Sequence, residues 1–297
     1  MNFLLSKHQL DNPKINLKFY CNIGEYSLFI GFDNISNIKN RSNEYIIILG
    51  DCINAEILNE KDKFSVNYLK QLKGIFILVI ISGDSFQIYS SLFGFLPVYY
   101  SNDFNVISNS LEIIKEIENL PTNISKQFIL ESYLFNFSFS NKTYLNGINR
   151  LETFSSLSYS NGKIKKESYE DIINWFNATP ITRKNQLEKL AEIFLNKTKQ
   201  YFTNEKFSVA FTSGFDGRTI VSAGLYYHKQ FETFSWGIPV NDDVKIPRNN
   251  AKELGLVYRY YNLHEPSYIE SYLELSRRMS KITGGFNGFL YPHFLFG

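Results

Sequence analysis

The chain has 297 residues, of which 44% are hydrophobic and 16% aromatic, and its 31 basic and 29 acidic residues give a formal net charge of +2. This length suits two domains with ample core material, and the balanced charge, without a long basic run, argues against nucleic-acid binding. Polar residues interrupt the start, and the longest apolar run, 75–81, is too short to cross a bilayer, so we expect a cytoplasmic protein without membrane contact.

Strands are predicted to dominate the first part of the chain. They span 17–22, 26–32, 45–49, 74–81, 86–90, 97–100, 106–108 and 155–160. Helices are predicted over 64–72, 110–118 and 125–133. Asn161-Gly162 and Ser82-Gly83-Asp84 are typical of hairpin turns. The polar stretch 177–183 contains Pro180, which cannot continue a helix, and marks the predicted domain boundary.

After this boundary the pattern changes to alternating helices and strands. One helical face carries Leu187, Leu190, Ala191, Phe194, Thr198 and Tyr201. Next come a strand over 208–211, a helix from Arg218, a strand over 232–236, a helix over 244–254 and a strand over 257–262. This order predicts a parallel, doubly wound α/β sheet, whose ligands bind beyond the carboxyl ends of the strands.

Within this half, an apolar strand runs into a turn of small residues and then into a helix. Thr212, Ser213, Gly214 and Gly217 keep bulk away from the backbone, so several N–H groups can point into one concavity at the positive end of the helix. Asp216 stands where a carboxylate either caps that helix or holds Mg²⁺ beside bound pyrophosphate. A Walker A loop is excluded because its lysine and spacing are absent. The pattern predicts a phosphate-binding turn; the alternative is an Asp-capped turn without a ligand.

The turn resembles the Ser-Gly-Gly-x-Asp-Ser loop of the ATP pyrophosphatases. Thr212 replaces the first Ser of that loop, Ser213 replaces the first Gly, and Gly217 replaces the final Ser. The next residue, Arg218, is common in the asparagine synthetase-like branch of these enzymes.

Segments of the first half resemble the class II glutamine amidotransferase domain. The similar segments are 72–80, 91–100, 106–111 and 142–151. The order of these segments, with the turn of Thr212–Gly217 after them, resembles the order in asparagine synthetase and its relatives. The resemblance implies an α+β Ntn-hydrolase-like sandwich over 1–175. Part of an α/β doubly wound parallel-sheet domain, of the ATP pyrophosphatase or adenine nucleotide alpha hydrolase-like type, would follow over 180–297.

The amidotransferase half lacks the groups that its chemistry requires. Such enzymes take ammonia from glutamine with an N-terminal cysteine, whereas this chain begins Met1-Asn2-Phe3 and has only Cys21 and Cys52. The family's oxyanion-stabilising Asn-Gly corresponds to Leu49-Gly50, and Leu92 replaces the arginine of the Asp-Arg-Phe-Gly segment. We therefore expect a domain without glutaminase activity that is retained for packing.

In the second half, the resemblance implies ATP and Mg²⁺ as cofactors. It assigns pyrophosphate binding to Thr212, Ser213, Gly214, Phe215, Asp216, Gly217 and Arg218, with Asp216 as the magnesium ligand. It places the adenine beside the backbone of Ser235, Trp236 and Gly237. Two assignments stay open. Asp243 either belongs to the site or only places a charge at a helix N-terminus, and Arg218 either contacts an anion or only faces solvent.

The implied reaction is amide formation on a small-molecule or peptide carboxylate, which is activated as an acyl-adenylate with release of pyrophosphate and then attacked by ammonia or an amine. The family's later Gly-x-Gly-Gly-Asp-Glu segment has no match here, so we expect this chain alone to be incomplete or inactive as a ligase. One alternative is a non-catalytic nucleotide- or partner-binding module that pairs with a separate chain supplying the missing synthetase half. Another, a sulfur transferase acting on RNA, is disfavoured by the first half and the low charge.

Overall fold

The computed structural model describes residues 2–10, 17–31, 38–41, 44–59, 64–118, 123–139, 141–170, 173, 176, 183–202, 206–284 and 291–296. Contacts within the chain define two compact units, Met1–Ala178 and Thr179–Gly297. The predicted boundary residues 177–182 lie outside the described residues. No helix in the described part of the chain is long and apolar enough to cross a membrane.

The first unit is built mainly of strands. In chain order these are β1 (Phe3–Ser6), β2 (Leu17–Ile23), β3 (Tyr26–Gly31), β4 (Ile38–Arg41), β5 (Glu44–Cys52), β6 (Gly74–Ser82), β7 (Ser85–Ser90), β8 (Tyr99–Ser101), β9 (Val106–Ser108), β10 (Ile148–Arg150), β11 (Ser155–Ser160) and β12 (Lys163–Ser168). The helices are α1 (Val66–Leu69), α2 (Leu111–Ile117) and α3 (Lys126–Phe135), with a 3-10 helix over Ala55–Asn59.

These strands form two six-stranded antiparallel sheets, in the orders β10-β8-β9-β1-β3-β2 and β12-β11-β7-β6-β5-β4. One apolar core joins their inner faces, with Phe3 and Leu28 from one sheet and Ile77 from the other. Leu111 of α2 packs on the outer face of the first sheet, and Leu69 of α1 on that of the second. The layers are therefore helix, sheet, sheet, helix, and the predicted α+β sandwich is confirmed at this level.

Local signals predicted eight of the twelve described strands of the first unit, but they missed β1, β4, β10 and β12. Asn161-Gly162 and Gly83 lie in the β11–β12 and β6–β7 hairpins with positive φ, as predicted. By contrast, β1 was not predicted, and it pairs with both β3 and β9. All four of its residues are buried, including Ser6, whose hydroxyl accepts the His8 amide at 3.0 Å. Such a short strand that ends on a polar residue carries almost no periodic signal.

Helices alternate with strands in the second unit. Its elements are α4 (Arg183–Thr198), a 3-10 helix over Lys199–Tyr201, β13 (Ser208–Ala210), α5 (Phe215–Tyr226), β14 (Glu232–Gly237), α6 (Asp242–Glu253), β15 (Val257–Asn262), α7 (Pro266–Ile282) and a 3-10 helix over Pro292–Leu295. The three strands form a parallel sheet in the order β13-β14-β15, which confirms the predicted parallel pairing. The predicted doubly wound order, which needs a reversal of strand order, does not occur among the described strands.

The two faces of this parallel sheet are covered differently. Val209 of β13 packs with Val221 of α5 and Ala251 of α6, so both helices lie on one face. On the opposite face, Ser208 and Ala210 are exposed. There the Trp236 ring contacts residues of the 3-10 helix over Pro292–Leu295. Parallel sheets are normally covered on both faces, and within the described residues the cover near β13 is one-sided.

Candidate functional site

The predicted phosphate-binding turn connects β13 to α5 at the carboxyl edge of the parallel sheet. Gly214 is the N-cap of α5, in extended conformation, and it makes no side-chain cap hydrogen bond. The helix begins at Phe215, so our predicted start at Arg218 was wrong by three residues. Phe215, Asp216 and Gly217 therefore form its first turn, whose amides have no partners one turn earlier within the helix. These amides are available to an anion at the positive helix end.

Gly217 permits the close approach of α5 to β13. A Cβ atom added there would lie 2.7 Å from the Ala210 carbonyl oxygen and 3.5 Å from the Thr212 backbone nitrogen. A side chain would push the first turn of the helix away from the strand. A glycine at position 217 thus has a steric reason in this structure.

Asp243, from the first turn of α6, reaches the same turn. One of its carboxylate oxygens, Oδ1, accepts the Ser213 amide at 3.1 Å and the Ser213 hydroxyl at 2.5 Å. The Gly214 amide donates to the Thr212 hydroxyl at 3.2 Å. The amides of Ser213 and Gly214 are thus satisfied by protein atoms. The separation of Ser213 and Asp243 by 30 residues gave no signal that they would meet.

The two charged residues predicted within the turn lie differently. Asp216 is exposed and lines a groove beside β13. Arg218 folds back over the turn: its Nε donates to the Gly214 carbonyl at 3.2 Å, and its guanidinium lies 4.3 Å from the centre of the Phe215 ring. Asp216 is therefore open to a cation, whereas Arg218 already has protein contacts.

The residues predicted for the adenine side end the neighbouring strand, β14. The buried Ser235 hydroxyl lies 2.6 Å from the Tyr258 hydroxyl, and burial is the main cause that raises the pKa of Tyr258. The Trp236 indole donates to the Phe296 carbonyl at 3.2 Å. Gly237 has φ of +152°, and an added Cβ would lie 3.0 Å from a Val244 methyl. The side chains of Ser235 and Trp236 therefore both have partners within the protein, and the backbone of this segment pairs with β15.

In the first unit, the structure shows the surroundings of Leu49, Gly50 and Cys21, where the sequence predicts no glutaminase chemistry. Leu49 is 1% exposed and packs in the core between the sheets, and Gly50 has φ of +90° beside the Ile75 carbonyl. Cys21 is half-buried, and burial raises the pKa of its thiol. An apolar Leu49 side chain cannot donate a hydrogen bond to an oxyanion. A thiol of raised pKa is also a poor nucleophile.

A groove of about 790 Å³ runs beside β13 and was not predicted. It is lined by Phe194, Lys197, Thr198, Tyr201, Phe202, Phe207, Ser208, Val209, Ala210, Asp216, Gly217 and Ile220. On either side of β13, the Phe207 carbonyl accepts the Glu232 amide and the Phe211 amide donates to the Phe234 carbonyl. The backbone N–H and C=O groups of the odd-numbered residues along this strand therefore point toward β14. The backbone groups of Ser208 and Ala210 therefore point to the other edge, where no described strand pairs with them.

Comparisons with known proteins found structural similarity alone, since no protein-family model and no curated protein matches the chain. The glutamine phosphoribosylpyrophosphate amidotransferase from B. subtilis, complexed with ADP and GMP, is similar with a TM-score of 0.32 and 11% identity over 80% of this chain and 51% of that one. A structure described as the allosteric regulatory enzyme of purine biosynthesis has a TM-score of 0.34 and 10% identity over 89% and 75%. This chain thus spans about half of the first protein. The similarity to a glutamine amidotransferase is weak, and no inference rests on it.

Proposed function

We propose that the turn between β13 and α5 binds the pyrophosphate part of ATP, and that the chain descends from ATP-dependent, amide-forming ligases of the asparagine synthetase type. The observation that carries this proposal is the geometry of the turn. Free first-turn amides of α5, a glycine that lets the helix approach the strand and an exposed Asp216 lie together at the carboxyl edge of a parallel sheet. Such edges are where α/β sheets bind nucleotides.

The residues present also suit magnesium. Mg²⁺ is commonly held by one or two carboxylates together with substrate phosphates, so Asp216 would be its protein ligand. No cluster of three or more His, Cys, Asp or Glu side chains that could hold a metal ion occurs among the described residues. When bound, Mg²⁺ would neutralise charge on the pyrophosphate. Amides of Phe215, Asp216 and Gly217 would orient the phosphate oxygens.

In the proposed reaction, an oxygen of the substrate carboxylate attacks the α-phosphorus of ATP, and the bond to the β-phosphate oxygen breaks to release pyrophosphate. The acyl-adenylate then reacts with ammonia or an amine, forming the amide and releasing AMP and a proton. Positioning is the main contribution of the turn. The acyl substrate, a small-molecule carboxylate or a peptide, would be recognised elsewhere.

Calorimetric titration with ATP and Mg²⁺ tests the proposal. We expect saturable binding by the full chain, and we expect Asp216→Ala to weaken it about tenfold or more through loss of a metal ligand. The control is Glu253→Ala, which also removes one carboxylate but at the last residue of α6. No binding by the wild-type chain, or equal weakening by both substitutions, would overturn the nucleotide site.

We propose in addition that the first unit is an Ntn-type amidotransferase domain without glutaminase activity. The burial of Leu49 in the core supports this view, because the position has become part of the packing. Incubation of the purified chain with glutamine is expected to release no glutamate above the rate of the buffer. Glutamate release in proportion to the protein concentration would contradict the expected absence of glutaminase activity.

A second candidate function is a binding module that pairs with a separate chain supplying the rest of the synthetase domain. The edge of β13, which has no partner strand among the described residues, favours it, as do Leu187 and Leu190 of α4, which are 61% and 63% exposed. An apolar helix face left in water promotes association. Without that separate chain, the exposed face is expected to drive self-association of the purified chain, so Leu187→Glu with Leu190→Glu should reduce this self-association in sedimentation velocity while thermal unfolding is unchanged. Exchanging Glu188 and Lys189 is the control, and equal self-association of all three proteins would remove this support.

A further inference from the structure

Asp243 links the two strand-to-helix turns at the carboxyl edge of the parallel sheet. It lies in the first turn of α6, which follows β14, and its Oδ1 accepts both the amide and the hydroxyl of Ser213, which follows β13. A carboxylate acceptor makes such hydrogen bonds stronger than neutral ones. The turn that carries the free amides of α5 is therefore tied to a neighbouring element.

A simple helix-dipole role does not explain this arrangement. Asp242 and Asp243 both lie in the first turn of α6, and Asn241, the N-cap, makes no side-chain cap hydrogen bond. A charge that served the dipole alone would need no partner on another element. Asp243 instead takes two donors from Ser213, whereas no hydrogen bond to the Asp242 carboxylate is found among the described residues. The carboxylates of Asp242 and Asp243 thus differ in their hydrogen bonds although both lie in the same helix turn.

The contacts also decide which amides of the turn stay free. Ser213 donates to Asp243 and Gly214 donates to the Thr212 hydroxyl, so an anion meets only the amides that begin at Phe215. Asp243 would hold those amides in place without touching the anion. A carboxylate in direct contact with a phosphate would repel it.

We infer that Asp243 is a positioning residue: through Ser213 it holds the β13–α5 turn in the shape that binds nucleotide. The inference rests on the proposed function and assigns a role to a residue that the sequence left open between site and helix charge. Replacement of Asp243 by asparagine separates geometry from charge, because asparagine keeps an acceptor oxygen for Ser213 and removes the negative charge.

Titration of the full-length chain with ATP and Mg²⁺ provides the first test. Asp243→Ala is expected to raise the dissociation constant about tenfold or more, the effect of losing hydrogen bonds to a charged group. Asp243→Asn is expected to stay within about threefold of wild type, and Asp242→Asn, the matched control, should do the same. If Asp243→Asn binds as weakly as Asp243→Ala, the charge itself is required and the positioning role is overturned. Wild-type affinity in Asp243→Ala would overturn it as well.

Hydrogen exchange of the Ser213 amide gives a readout that does not depend on nucleotide. We expect its exchange to be about tenfold faster in Asp243→Ala than in the wild-type chain, with Asp243→Asn close to wild type. Equal exchange in all three proteins would refute the link between Asp243 and the turn. If wild type binds no ATP and the exchange result still holds, the proposed function fails while the structural role of Asp243 stands.

Discussion

The two units of this chain differ in how their sheets are covered. In the first unit, two antiparallel sheets enclose a shared core, and helices pack on both outer faces. In the second, a three-stranded parallel sheet carries α5 and α6 on one face, and its β13 edge has no described partner strand. The first unit encloses a core between its sheets, although α3 leaves Ile129, Leu130 and Tyr133 more than half exposed, whereas the second unit leaves backbone groups open at one edge and at the start of a helix.

The two candidate sites therefore lie in different surroundings. A position such as Leu49, in the first unit, lies between two sheets and serves their packing. Ser213 and Asp216 lie in the second unit at the end of a strand, where polar groups stay accessible. We therefore expect substitutions in the first unit to act on stability and substitutions in the turn to act on ligand binding.

The largest effect is expected from truncating the core of the first unit. Phe86 is 1% exposed; its ring stacks on Tyr159 at 5.3 Å and meets Tyr26 edge-on at 5.2 Å. Phe86→Ala should lower the free energy of unfolding of this unit by about 3–5 kcal/mol. Phe19, which is 57% exposed, is the control, and its replacement by Ala should cost less than about 1 kcal/mol. Urea denaturation followed through hydrogen exchange of β6 measures both, and equal losses would show that the core is not closed as described.

A smaller effect on stability and a larger one on binding are expected at Gly217. Gly217→Ser places Cβ 2.7 Å from the Ala210 carbonyl oxygen, so we expect about 1–3 kcal/mol of destabilisation and weaker ATP binding. Gly214→Ser is the control because Gly214 is the N-cap of α5, where serine is favoured, and its stability should be equal or slightly higher. Thermal unfolding and calorimetry test the pair. A Gly217→Ser protein as stable as wild type would show that α5 has room to move.

The smallest effect concerns an exposed ion-pair cluster in the second unit. A hydrogen bond from Lys206 is the main cause that lowers the pKa of Glu232, and Arg259 adds to it. Because the folded-state pKa is depressed, the ionised form stabilises the unit above the ordinary carboxyl pKa. That contribution is lost as the pH falls through the lowered value. Glu232→Gln should therefore flatten the acid side of the stability curve, measured by thermal unfolding between neutral and acidic pH. An unchanged acid limb in this variant would rule out the contribution.

Local patterns predicted the parts of the fold that are themselves local. The hairpin at Asn161-Gly162 and the alternation from β13 to β15 were readable because turns and periodicity depend on neighbouring residues. The start of α5 was misplaced because Gly214 and Gly217 weaken a helix signal, although the close approach to Ala210 of β13 favours glycine at position 217. The central strand β1 was missed because its burial comes from β3 and β9, which lie far away in sequence.

By itself, the sequence determined that an apolar strand, a turn of small residues with Asp216 and a helix follow one another, since chain order and residue size suffice for that conclusion. Only the tertiary structure decided which groups in the turn remain free. Asp243 meets Ser213 across 30 residues, Gly217 lies against Ala210, and Leu49 is enclosed between two sheets. The reason is physical: these are contacts between distant segments, and they form only when strand pairing and helix packing bring those segments together.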